Sequence, residues 1–207
     1  RGGQFIEVSS QGVYDCGAAG SSFMASPGEL KNRWQWTTGP YCNSRERQMT
    51  ETSGWQLQEL HHLGMTVADI DRSIEFYRDL LGMQLVGRRP CVEADYVAQQ
   101  TGYEGVQLSV ASFRVQPGSP QSLEVVQYLN HVGEPADAAT NRAGNTHLCI
   151  TVDDLQSAYE ALSAKGVKFK SEPVTITAGP NEGGLVIYFY DPDGYTLEMF
   201  QPAKANN

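Results

Sequence analysis

The run Glu59-Leu60-His61-His62-Leu63-Gly64-Met65-Thr66-Val67 returns later in the chain as Gly144-Asn145-Thr146-His147-Leu148-Cys149-Ile150-Thr151-Val152. With His62 laid on His147, the copies agree at Leu63/Leu148, Thr66/Thr151, Val67/Val152, Asp69/Asp154 and Glu75/Glu160. A second pair of segments repeats as well. Ser122-Leu123-Glu124-Val125-Val126-Gln127 aligns with Thr196-Leu197-Glu198-Met199-Phe200-Gln201, identical at Leu, Glu and Gln. Each repeat therefore opens on a strand-like run carrying a His and closes on one carrying a Glu. Two units are too few for a solenoid, and they fit a pseudo-twofold pair inside one domain.

The segments between these anchors fill in the unit. In the first repeat, Trp55 to Val67 is β-rich, and Asp69 is placed to cap a helix from Ile70 to about Leu81, with Ile70, Ile74, Tyr77 and Leu81 as its apolar stripe. Gly82 supplies the left-handed residue that ends the helix. Three β-like runs follow, Gln84 to Arg88, Val106 to Arg114 and Leu123 to Tyr128. The second repeat keeps that order: strand Thr146 to Val152, cap Asp154, helix Leu155 to Ala164, Gly166, a short run Lys168 to Lys170, strand Leu185 to Tyr190, the turn Asp191-Pro192-Asp193-Gly194, and strand Tyr195 to Phe200. The expected fold class is α+β: paired βαβββ modules forming a cupped mixed sheet. Module one spans 55–129, a Gly-, Pro-, Asp- and Ala-bearing linker 130–145, and module two 146–203.

Residues 1–54 differ in kind, rich in Gly, Ser, Gln and Asn and without sustained periodicity. They read as an N-terminal extension, irregular or disordered. Two origins stay open: a segment upstream of a natural start at Met49, or an arm that packs through Trp34 and Trp36.

The formal charge of −9 and a pI near 4.9 argue against nucleic acid and anionic membrane surfaces as partners. No apolar run approaches the ~20 residues a membrane span needs, and no secretory signal opens the chain, so it reads as soluble and cytoplasmic. Cys16, Cys42, Cys91 and Cys149 show no CxxC spacing, which disfavours a thiolate zinc site. Whether Cys16 pairs with Cys42 stays open, and Cys149 reads as a small buried hydrophobe.

The chemistry sits at the repeated positions. If the repeats pair, His62, Glu124, His147 and Glu198 converge on one face, and two imidazoles with two carboxylates suit one divalent metal of the Mn, Fe, Co, Ni or Zn group while leaving coordination positions open. Glu124 and Glu198 stand inside apolar strands, where an unpaired carboxylate is costly. The competing reading takes each singly as a satisfied or solvated polar group. His61 is the weaker ligand candidate because it alternates away from His62, and His131 reads as a solvated loop residue.

The run from His62 through Asp69, Ser73, Phe76, Tyr77, Leu81 and Gly82, with His147-Leu148-Cys149-Ile150 and Asp191-Pro192-Asp193-Gly194-Tyr195-Thr196-Leu197-Glu198, resembles the glyoxalase/bleomycin-resistance/dioxygenase proteins, the vicinal oxygen chelate superfamily. The resemblance covers about Gln58 to Gln201. It implies a cupped sheet around one metal site, and a carboxylate at Glu124 resembles the two-His, two-Glu set of glyoxalase I and some epimerases more than the extradiol dioxygenases. Departures from bacterial glyoxalase I at Thr66 and at Val126-Gln127-Tyr128 tell against a glutathione substrate. The expected activity is that of a metal-dependent lyase or isomerase. It acts on a small molecule with vicinal oxygens, through a metal-bound enediolate, with Glu198 or Glu124 moving the proton. Arg88, Arg89, Tyr96, Tyr103 and Tyr128 are candidate substrate contacts, against the alternative of a solvated Arg pair and core tyrosines. The alternatives are an Fe(II) extradiol-type dioxygenase and a non-catalytic binding module. Family members swap modules between subunits, which admits a homodimer.

Overall fold

A computed structural model describes residues 54–204. The chain divides into units Arg1–Arg45 and Glu46–Asn207, and every described residue belongs to the second. The expectations about residues 1–53, including the Cys16–Cys42 pairing and the arm with Trp34 and Trp36, lie outside the described residues.

Module one runs β1 (His62–Thr66), α1 (Ile70–Ile74, continuing as a π-helical stretch Glu75–Leu80), β2 (Gln84–Val92), α2 (Asp95–Thr101), β3 (Leu108–Arg114) and β4 (Ser122–Tyr128). Module two runs β5 (Leu148–Thr151), α3 (Leu155–Ala164), β6 (Val174–Thr175), β7 (Leu185–Tyr190) and β8 (Thr196–Gln201). The sheets are ordered β1-β4-β3-β2 and β5-β8-β7-β6. In each, first and last strands pair in parallel and the other neighbours pair antiparallel. The architecture is α+β and the sequence repeat is a topological repeat. It takes the form of two four-stranded mixed sheets, not one continuous sheet.

The repeated polar residues explain themselves at the helix starts. Asp69 Oδ1 accepts from the Asp71 and Arg72 amides at 3.0 and 3.1 Å, and Asp154 Oδ1 accepts from the Ser157 amide at 3.0 Å. The repeated Gln near the end of each last strand serves the same helix. Gln127 Oε1 accepts from the Ile70 amide at 3.2 Å, and Gln201 Oε1 from the Leu155 amide at 2.8 Å. These are amides that a helix leaves without intrahelical partners.

The expected helix to Leu81 widens to a π-turn, with the Leu81 amide donating to the Phe76 carbonyl at 3.0 Å and Met83 to Tyr77 at 2.9 Å. The wider turn lets the consecutive rings of Phe76 and Tyr77 both enter the core. One cluster joins the modules: Met65, Ala111, Phe113, Leu123 and Val125 from sheet one, Ile187, Phe189, Leu197 and Met199 from sheet two, together with Ile70 and Ile74 of α1 and Leu155 and Leu162 of α3. The opposite face of sheet one is partly closed by a smaller cluster in which Val97 of α2 meets Val106, Leu108 and Val110.

Three local expectations change. The strand expected from Trp55 starts at His62, because β1 pairs only with β4 and β4 begins at Ser122, so earlier residues have no neighbouring strand. Helix α2, without a long apolar stripe, was not legible as a helix; Val97 is its one fully buried side chain. The run Lys168 to Lys170 makes only an isolated bridge, Phe169 to Phe189, and the edge strand is β6 instead.

Candidate functional site

The parallel pairings place the repeated His and Glu residues in equivalent positions. His62 lies opposite Ser122 and Gly64 opposite Glu124, so His62 and Glu124 are diagonal neighbours on one face. In module two Cys149 lies opposite Glu198, and His147 stands two residues before Cys149. The buried residues Leu123, Val125, Leu197 and Met199 flank the carboxylates in the strands, so both pairs face away from the shared core.

Each pair is wired differently. In module two, His147 Nε2 stands 2.7 Å from Glu198 Oε2, and the His147 ring packs edge-on against Tyr188 at 5.3 Å. Cys149 shares the Glu198 carboxylate. Partial desolvation of the sulfur, and then the neighbouring carboxylate, push its thiol up to about 11, which keeps it a protonated donor at neutral pH. In module one, His62 Nδ1 is 2.8 Å from His61 Nδ1, while Glu124 Oε2 accepts from Arg89 Nη2 at 3.1 Å and from Ser112 Oγ at 3.4 Å. His61 precedes β1, so strand alternation does not turn it away from His62.

The four candidate ligands are thus brought together as two pairs. Among the described residues, no three His, Cys, Asp or Glu side chains gather so as to hold a metal ion. Among the described residues the four candidates stand as one His and one Glu on each sheet. The donor types fit a divalent transition metal, whereas the donor number in either sheet is half a set.

The other candidates divide by face. Arg89 reaches the site face through Glu124. Arg88 lies on the opposite face, donating to Ser109 Oγ at 2.6 Å and lying 3.4 Å from Asp71 Oδ1, so it ties β2 to β3 and α1. Tyr103 meets Tyr128 edge-on at 5.9 Å and stacks with His131 at 5.2 Å. His131 is therefore part of an aromatic group. Tyr96 stands exposed on α2. Cys149 is exposed, not a buried hydrophobe, and the period-2 alternation from His147 is the signal that marks it. Ser112 and Tyr188, the strand neighbours of the two carboxylates, carried no such signal in sequence.

Fold and site together define a paired βαβββ domain carrying two equivalent His–Glu pairs. Residues 59–199 match the Glyoxalase/Bleomycin resistance protein/Dioxygenase superfamily, and the chain belongs to that family. It is 30% identical over 145 residues to a lactoylglutathione lyase of Haemophilus influenzae, covering 69% of this chain and 92% of the relative. It is 31% identical over 150 residues to a 2-epi-5-epi-valiolone epimerase of an Actinomyces species, covering 70% and 81%. A probable chloroplastic lactoylglutathione lyase of Arabidopsis thaliana is 32% identical over 142 residues, and the match covers 68% of this chain but only 35% of that relative. A glyoxalase family protein from Bacillus cereus shares the fold, with a TM-score of 0.63 at 20% identity, over 73% of this chain and 98% of that one. No helix among the described residues is long and apolar enough to cross a membrane.

Proposed function

We propose that the chain is a divalent-metal-dependent lyase or isomerase that moves a proton on the carbon beside a carbonyl of a small molecule with vicinal oxygens. One observation carries this reading: an imidazole and a carboxylate recur at the same diagonal position of two equivalent parallel strand pairs. The relatives named as a lyase and an epimerase support the same class. Because each sheet offers half a donor set, we infer that two copies complete it, His62 and Glu124 of one protomer facing His147 and Glu198 of the partner subunit.

A divalent ion held there would polarise the substrate carbonyl and make the neighbouring proton easier to remove. The chain's own residues do the rest. Glu198 is the proton carrier, since its carboxylate contacts an imidazole and a thiol, whereas Glu124 is fixed by the Arg89 guanidinium and the Ser112 hydroxyl. Arg89 receives an anionic group of the substrate, and Tyr103 and Tyr128 wall the same face.

The Arg89–Glu124 pair also favours a second reading. With Glu124 engaged, His62, His147 and Glu198 remain as a two-His, one-carboxylate set suited to an Fe(II) dioxygenase. Elemental analysis of the purified chain and of Glu124→Ala and His147→Ala separates the two. About one transition metal per chain, lost in both variants, supports the lyase or isomerase. Metal kept in Glu124→Ala but lost in His147→Ala supports the dioxygenase.

A further inference from the structure

A cavity of about 250 Å³ lies at the seam of the modules, under the linker. None of His62, Glu124, His147 or Glu198 lines it. Its floor is the end of β1 with Tyr128, its wall Asp193 and Tyr195 of the module-two turn, and its roof the linker from Val132 to Ala138 with Asn145. Small residues in that roof, Gly133, Ala136 and Ala138, leave the space unfilled. Internal bonds hold the linker in shape: Asn145 Nδ2 donates to the Asp137 and Ala139 carbonyls at 2.9 and 2.7 Å, and Arg142 pairs with Asp137 at 2.6 Å. The volume exceeds the roughly 150 Å³ that holds a benzene ring in an engineered cavity.

The polar groups of the lining are biased toward acceptors. Glu134 and Asp193 are carboxylates, and no Lys, Arg or His is among the described lining residues. Arg72 takes Asp193 Oδ1 and Asp193 Oδ2 is shut away, so Glu134 is the carboxylate open to the cavity. The Asn145 amide nitrogen is engaged in the linker, which leaves its oxygen as an acceptor. The rings of Tyr128 and Tyr195 add π faces that attract cations.

We propose that this cavity is a second ligand site that takes a small organic cation, a protonated amine on an apolar body of about one ring. The site does not depend on the metal reading. Calorimetric titration of the full chain with phenethylammonium, 2-phenylethanol and phenylacetate tests it. The ammonium binds saturably, about tenfold tighter than the alcohol, and phenylacetate does not bind. Glu134→Gln weakens the ammonium while far-ultraviolet circular dichroism stays native, and His147→Ala leaves it unchanged. Equal affinity for ammonium and alcohol, ammonium binding indifferent to Glu134→Gln, loss of binding in His147→Ala, or no ammonium binding by a natively folded chain would each overturn the proposal.

Discussion

The Tyr77 hydroxyl donates to Asp191 Oδ2 at 3.0 Å, across the seam between the first helix of module one and the closing turn of module two. Both residues are buried, and Asp191 Oδ1 also accepts from the Asp193 and Tyr195 amides at 2.9 and 2.8 Å. One carboxylate therefore organises the turn that leads into β8 and Glu198, while binding it to the other module.

Tyr77→Phe leaves that buried oxygen without its donor and is expected to cost about 1–3 kcal/mol in urea unfolding. Asp191→Asn keeps the turn's acceptor and loses less.

Burial raises the Asp191 carboxyl above its ordinary value of 3.8, against the pull of its amide and hydroxyl donors. The folded chain then binds this proton more tightly than the unfolded chain. The contribution to stability is therefore greatest below the ordinary value and declines as pH climbs through the raised one. Unfolding free energies measured as pH is raised from that ordinary value should show this decline in the natural chain, and Asp191→Asn should remove it.

Gln127→Ala and Gln201→Ala break equivalent bonds to the first helical amide of their modules. Each is expected to destabilise by about 1 kcal/mol. The double variant should be near additive, since the two sites share no partner.

The adjacent arginines separate by face. Arg88→Ala removes ties to Ser109 and Asp71 and is expected to lower stability by about 1–2 kcal/mol while leaving metal content unchanged. Arg89→Ala, at a half-exposed side chain, changes stability by less than about 0.5 kcal/mol but frees Glu124, and metal affinity in a competition titration should rise.

Much of this was legible because both periodicities are local. Asp154 and Gly166 bracket α3, whose span Leu155 to Ala164 the structure reproduces. The alternation of Leu, Glu and Val or Met put each carboxylate opposite the core face. What failed depends on neighbours in space. The run expected to end at Arg88 continues through Pro90 to Val92, because β2 is an edge strand, where a missing amide donor is tolerated. The assignment of Arg88 and Arg89 to one role overlooked strand alternation, which sends them to opposite faces. How the two His–Glu pairs lie relative to each other is not local either: strand register is written in the repeat, whereas the relation of one sheet to the other is set by the packed core.

The central claim, that two copies complete one metal site, is tested most directly by complementation. A chain carrying His62→Ala and Glu124→Ala is co-refolded with a differently tagged chain carrying His147→Ala and Glu198→Ala, and the mixed dimer is isolated and assayed for metal. The account predicts that neither variant binds metal alone and that the mixed dimer, with one intact pairing, holds about one ion. A mixed dimer without metal, beside a natural chain that binds it, would contradict the account.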